Sequence, residues 1–364
     1  MDDTCRDRML EALKSDMQES SVVVMPDFFQ DRLLDFGMDY RTFVKRVKKI
    51  LDQKGGSIDC IKHTELRGGN AINTASALAA LGVRVTPIIS TDIMGARLIK
   101  YYLHSEVDLS HIKKCPRSSM TTAMEFQSGK EKINVMLRDV GSLEDFGPDN
   151  LDSKDYDAIE RADYVCLFNW AGTRHFGTEL AENVFRHVKN EGKGCTYLDT
   201  ADPLPNHDRI PELVKRVLME KHTDILSVNE NEAICYASQL DGKTFQKSRR
   251  KPNSQLAIEA ARILSMHLQC RVDLHTAGTS ASFSKGGEVI VPSFDVPVLR
   301  ATGAGDAWNA GNILGHILRL PADCRLILAN AVAAYYISNE RGMHPDRQQL
   351  NNFLTTAKCK TMLT

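Results

Sequence analysis

The strongest constraint on this chain is a rhythm. Short apolar runs rich in β-branched residues recur, and most are followed by a stretch with helical spacing of its apolar positions. SVVVM (21–25), VRVTPIIS (83–90), DYVCLFNW (163–170), GCTYLDT (194–200), DILSVN (224–229) and VDLHTAG (272–278) are such runs. Strands this apolar need cover on both faces, and parallel strands receive it from their crossover helices. Helical stretches lie between them: Asn70 to Leu81, closed by Gly82, then TELAENVFRHVKN, PELVKRVLM and LAIEAARILSMHL. The pattern predicts an α/β fold with a mainly parallel sheet flanked by helices.

Antiparallel material interrupts the rhythm. TTAMEFQSG and EKINVMLR, joined through Ser128-Gly129-Lys130, read as a hairpin, and SIDCIKHTEL after Gly55-Gly56 alternates like a half-exposed strand. These segments predict a small β lid over about 55–66 and 121–138 on a domain running from 21 to 358. Residues 1–20 are acidic and amphipathic and read as an N-terminal helical extension without the apolar run of a signal peptide. The basic stretch 241–254 has no periodicity and reads as a solvent loop.

Charge removes whole classes of partner. With 46 Lys and Arg against 47 Asp and Glu, the chain has no overall drive toward nucleic acid or anionic membrane, so any anion site must be local. Nine scattered cysteines form no C-x-x-C pair, which fits reduced thiols and a cytoplasmic protein.

Two segments carry chemistry. In Val298-Leu-Arg-Ala-Thr-Gly-Ala-Gly-Asp-Ala-Trp-Asn-Ala-Gly311, Gly303, Ala304 and Gly305 open a helix whose free N–H groups and dipole suit a phosphate. Asp306 beside them would repel that phosphate, unless it takes a proton from an attacking hydroxyl; the other reading is a simple helix cap. In Arg67-Gly-Gly-Asn-Ala-Ile-Asn, the glycines Gly68 and Gly69 allow close approach, and Asn70 and Asn73 share a helix face suited to sugar hydroxyls. Pro26 ends the first strand just before Asp27 and Asp31, candidate ligand contacts.

Together these segments, with Ile89-x-x-Asp92-x-x-Gly95 and Asn229-Glu-Asn-Glu232, resemble the two signatures and intermediate motifs of the ribokinase-like (PfkB) carbohydrate kinases, in the expected order from Val22 to Gly342. The resemblance implies a three-layer α/β/α sandwich with a lid, and phosphoryl transfer from ATP with Mg²⁺ to a sugar or sugar-like hydroxyl. It implies Asp306 as general base and Gly303, Ala304 and Gly305 as the anion hole. Asp31, Gly68, Gly69, Asn70 and Asn73 fall on the acceptor side, and Arg138, at the end of the flap strand, reads equally as a contact to a substrate phosphate or as an exposed edge charge. Asn229, Glu232, Thr276, Gly278 and Asn330 fall on the nucleotide side, with Glu232 acting on magnesium through water; a strand end and helix cap is the other reading of Asn229 and Glu232. A homodimer paired through lid strands is expected.

Two departures stand out. Where relatives that use a monovalent cation carry Asp, this chain has Arg300, which argues against potassium activation and reads either as a guanidinium near the anion hole or as a side chain pointing to solvent from the strand end. Pro26 replaces a common Gly. Trp170 reads as core, with stacking on a ligand as the alternative. A nucleoside kinase would want an aromatic clamp, for which the lid offers Phe126, and a non-catalytic sugar sensor is the remaining alternative.

Overall fold

A computed structural model describes residues 2–15, 20–103, 107–129, 131–242, 253–300, 302–339 and 341–360. Its centre is an eight-stranded sheet in the order Gly287–Pro292, Thr279–Ser284, Arg271–His275, Ile225–Val228, Cys195–Asp199, Tyr164–Phe168, Ser21–Met25, Arg84–Pro87. Six strands are parallel, and the hairpin Thr279–Pro292 adds two antiparallel ones at one edge. The period-2 alternation of a strand divides its side chains between two cores. Val23 and Met25 pack with the helices Ser153–Arg161, Gly177–Glu191, Glu230–Leu240 and Asn253–His267. Val22 and Val24 pack with Asn70–Ala80, Ala304–Ile317, Ala322–Ser338 and Arg347–Thr356. The three layers expected from the rhythm are therefore present.

A separate four-stranded sheet runs Lys62–Gly68, Phe29–Asp35, Ser119–Ser128, Glu131–Asp139. It corrects the expected lid in two ways. The first strand begins at Lys62 rather than near 55, and Phe29–Asp35, which the sequence reading left without structure, lies at the sheet's centre. Expected as one helix, 211–219 is instead a chain of short turns, Leu204–Arg209, Ile210–Leu213 and Val214–Leu218, the last a π turn. Most of the polar stretch 241–254 lies outside the described residues.

The helix Asp3–Ala12 is not a free extension. Cys5, Met9 and Leu13 are buried against the second core, and Cys5 forms a disulfide with Cys324, Cα–Cα 5.5 Å, so two of the nine thiols expected to be free are paired.

One polar cluster sits inside the fold. Asp273 is fully buried and meets Arg325 Nη1 at 3.0 Å and Arg271 Nη2 at 3.0 Å, while Asn312 Nδ2 and Ser282 Oγ donate to it at 2.9 and 2.6 Å. The two cations hold its carboxyl far below the usual range despite burial.

Candidate active site

In an open parallel sheet, ligands bind beyond the carboxyl ends of the strands. There the chain leaves Asp27, Asn169, Asp199, Asn229 and His275, one at or just past the end of each of five parallel strands. A cavity of about 760 Å³ opens over them, and the small sheet walls its far side with Phe29, Asp31, Thr121, Met136 and Arg138.

Asp306 is at the floor. Gly303 turns the chain at φ +85°, a left-handed conformation that favours glycine, and the helix Ala304–Ile317 follows with Asp306 in its first turn. Its carboxylate does not cap that helix. Instead it accepts from Asn70 Nδ2 and Asn73 Nδ2, each at 2.8 Å. Burial pushes the Asp306 carboxyl well above the carboxylate range; the two amides pull it down, while Asp199 and Asp27 push it further up.

Asp27 aims those amides. Its buried carboxylate accepts from the backbone N–H groups of Asn70 and Ala71 at 2.8 Å each, capping the helix Asn70–Ala80 from across the fold, and Asn169 Nδ2 holds it at 2.8 Å. Gly69, at φ +98°, makes room: a Cβ there would lie 2.8 Å from the Asp27 carbonyl oxygen. At Gly68 a Cβ would overlap the Asp31 carboxylate. Of the acidic residues near the first strand, Asp27 is thus a cap, Asp35 binds its own turn at Gly37, and Asp31 lines the cavity. Burial raises the Asp31 carboxyl to about 6, with Thr121 and Arg138 opposing.

Residues 36–348 match the family described as pfkB family carbohydrate kinase. The chain belongs to that family. It is accordingly a phosphotransferase with an alcohol group as acceptor. It is 22% identical over 281 residues to the 5-dehydro-2-deoxygluconokinase of Geobacillus kaustophilus, covering 76% of this chain and 80% of that one. Among solved structures, it superposes on Arabidopsis thaliana ribokinase complexed with ribose and ATP with a TM-score of 0.67 at 20% identity, covering 93% and 99% of the two chains. Adenosine kinase from Sinorhizobium meliloti gives 0.65 at 16%, covering 89% and 95%. These two likenesses bear on the fold.

Within this pfkB member, several expected site residues have other partners. Asn70 and Asn73 were expected to face sugar hydroxyls, yet each commits an amide N–H to Asp306. Asn229 and Glu232 form a reciprocal capping box at the start of Glu230–Leu240, with bonds of 2.7 to 3.0 Å, while still lining the cavity. Burial and nearby Asp199 drive Glu232 far above its ordinary value. Asn330 accepts from Trp308 Nε1 and Ser280 Oγ at the cavity wall. Thr276 lines the cavity, whereas Gly278 turns the chain beside it and is not among the lining residues. Arg300 reaches the cavity and stacks on Tyr336, 5.8 Å from the ring centroid; the Tyr336 hydroxyl donates to Thr302 O beside Gly303. Arg138 lies over the Phe29 ring at 5.1 Å.

Trp170 is core, with Nε1 donating to Thr178. Phe126 clusters with Phe36 and Phe43 and is not among the lining residues, so it offers no clamp there. The sequence reading missed Asp199 and His275. Asp199 accepts from Asn309 Nδ2 at 2.6 Å, and the rule that picked out Asp27, an acid at the end of a parallel strand, finds it too. Nothing in the pattern around His275 marks it; burial beside Trp308 and Gly305 pushes its pKa down to about 4 and keeps it neutral.

Proposed function

We propose that the protein transfers the γ-phosphoryl group of ATP to a hydroxyl of a sugar or sugar-like acceptor, with Asp306 as general base. The observation that carries this reading is the carboxylate of Asp306, held by two amides one turn into a helix that opens with Gly303-Ala304-Gly305. A base whose proton affinity is raised by burial removes a hydroxyl proton better than an ordinary carboxylate. The N–H groups of Gly303, Ala304 and Gly305 stabilise charge on the moving phosphoryl group without reorganising.

The donor set suits magnesium nucleotide. Asp199 and Glu232 are acids whose proton affinity burial raises, Glu232 further through Asp199, an arrangement a hydrated divalent cation would relieve. Bound magnesium neutralises phosphate charge. The chain's own residues orient the acceptor: Asp31 accepts from its hydroxyls, Arg138 meets an anionic or polar end, and the small sheet acts as a lid that excludes water. Phe29, already under Arg138, is the lid's ring at the cavity, which favours a sugar over a nucleoside base. The test is ADP release across pentoses, hexoses, inositols, sugar acids and nucleosides. Stimulation by a sugar or sugar acid is expected; stimulation by nucleosides alone, or by nothing, overturns the reading.

Asp31 adds a pH dependence. With its carboxyl raised to about 6, the acceptor KM is expected to rise about tenfold from pH 7 to pH 5 as the Asp31 carboxylate is protonated. The Asp31→Asn variant, with a higher KM throughout, loses this slope; a slope that persists in it places the titration elsewhere. Because the folded pKa is raised, the Asp31 charge lowers folding stability as pH climbs from about 4 through 6.

The lid also supports assembly as a homodimer. Its edge strand Glu131–Asp139 exposes Ile133, Val135 and Leu137, apolar side chains on a strand with an open hydrogen-bonding edge. Sedimentation is expected to give twice 40.6 kDa, and Val135→Lys the monomer; a wild-type monomer removes this expectation.

A further inference from the structure

Arg67 precedes the Gly68-Gly69 turn at the end of the lid strand Lys62–Gly68 and is not among the residues lining the cavity. Its guanidinium faces inward. Nε donates to Asn73 Oδ1 at 3.4 Å, and Nη2 meets His344 Nδ1 at 3.0 Å. Burial, reinforced by Arg67, holds His344 neutral, so its Nδ1 accepts and its Nε2 carries the proton. The imidazole stacks on Tyr336, centroids 4.7 Å apart, and Tyr336 closes over Gly303. One cation thus touches the residue that holds the base and the column that backs the anion loop.

A carboxamide has an oxygen side and an N–H side. With Oδ1 against Arg67, Asn73 turns Nδ2 to Asp306 Oδ2 at 2.8 Å; flipped, it would set N–H against a cation and oxygen against a carboxylate. We propose that Arg67 is a positioning residue that fixes the Asn73 carboxamide and thereby aims the Asp306 carboxylate, tying the lid strand to the catalytic base. Charge works in the same direction. Asp306 is faced by Asp27 and Asp199 from strand ends, which disfavour its ionised form, by Glu232 from the helix Glu230–Leu240 and Tyr336 from Ala322–Ser338, whose own ionised forms it disfavours, and by Arg67, which attracts it.

The inference rests on Asp306 being the base of a kinase. Its test is the pH profile of kcat at saturating ATP and acceptor for Arg67→Met and Arg67→Lys. Arg67→Met is expected to lower kcat about 10- to 100-fold, the scale of a misaimed catalytic group, with the ATP KM within about twofold. Its acid limb moves up by about one pH unit, and Arg67→Lys, which keeps the charge, restores the limb. On an Asn73→Ala background, Arg67→Met adds little further loss, because both act through one contact. Retained kcat and limb in Arg67→Met, or losses that multiply in the double variant, overturn the proposal. If wild type turns over no acceptor, the kinase reading fails instead. The Asp306 carboxyl is then titrated by ¹³C NMR, with Asp306→Asn to assign it; an unmoved midpoint in Arg67→Met, or in Arg67→Gln should Met not fold, overturns the proposal.

Discussion

Asp306→Asn is expected to lower kcat by about 10³-fold or more while leaving the ATP KM within a few-fold. The replacement keeps the volume and one acceptor oxygen, so the helix Ala304–Ile317 and its Gly303 turn persist. What is lost is the ability to take a proton. The acids that face Asp306 are otherwise engaged: Asp27 accepts two backbone N–H bonds, Asp199 is held by Asn309 and Ala201, and Glu232 is bonded to Asn229. A variant keeping a tenth of wild-type kcat would show that the acceptor loses its proton without Asp306.

The largest stability effect is expected from Arg325→Met. It removes one of the two cations around Asp273 and leaves a fully buried carboxylate partly uncompensated, a change worth about 3–5 kcal/mol. For a chain of this size the melting midpoint should fall by roughly 5 °C. The deficit has a pH signature. The folded-state pKa of Asp273 is depressed, so the cluster stabilises the fold above the ordinary aspartate range, and that contribution fades as pH falls. Wild type and variant should therefore converge in stability on acidification, as read by thermal melts across pH. None of Asp273, Arg271, Arg325, Asn312 and Ser282 lines the cavity, so activity per folded molecule should be unchanged. A variant that melts with wild type means the cluster contributes little.

Elements buried on both faces were legible. Val22 to Met25 are almost wholly inaccessible, and their unbroken apolar run said so. Phe29–Asp35 was not legible, because its side chains are mostly half-exposed and its charges obscure the alternation, directly after Pro26. The polar constellation divided in the same way. Gly303, Gly305 and Asp306 form one local motif, and its likeness to the family located the cavity. The partners of Asn70 and Asn73 lie 236 and 233 positions away, so a helix face that reads as sugar-binding is spent on Asp306. The cap of that helix comes from Asp27, 43 positions upstream of Asn70, where local capping rules do not reach.

The docking of Asp3–Ala12 has a consequence for the order of synthesis. Its buried face rests on Ala322–Ser338, and Cys5 is bonded to a residue 319 positions later. When this helix leaves the ribosome, its resting place has not been made, and Met9 and Leu13 stay uncovered until Ala322–Ser338 has emerged. The central strand Ser21–Met25 also waits, for Tyr164–Phe168 on one side. In this kinase the helix Asp3–Ala12 therefore docks after the elements that follow it, whereas Ser21–Met25 finds its neighbour Arg84–Pro87 early.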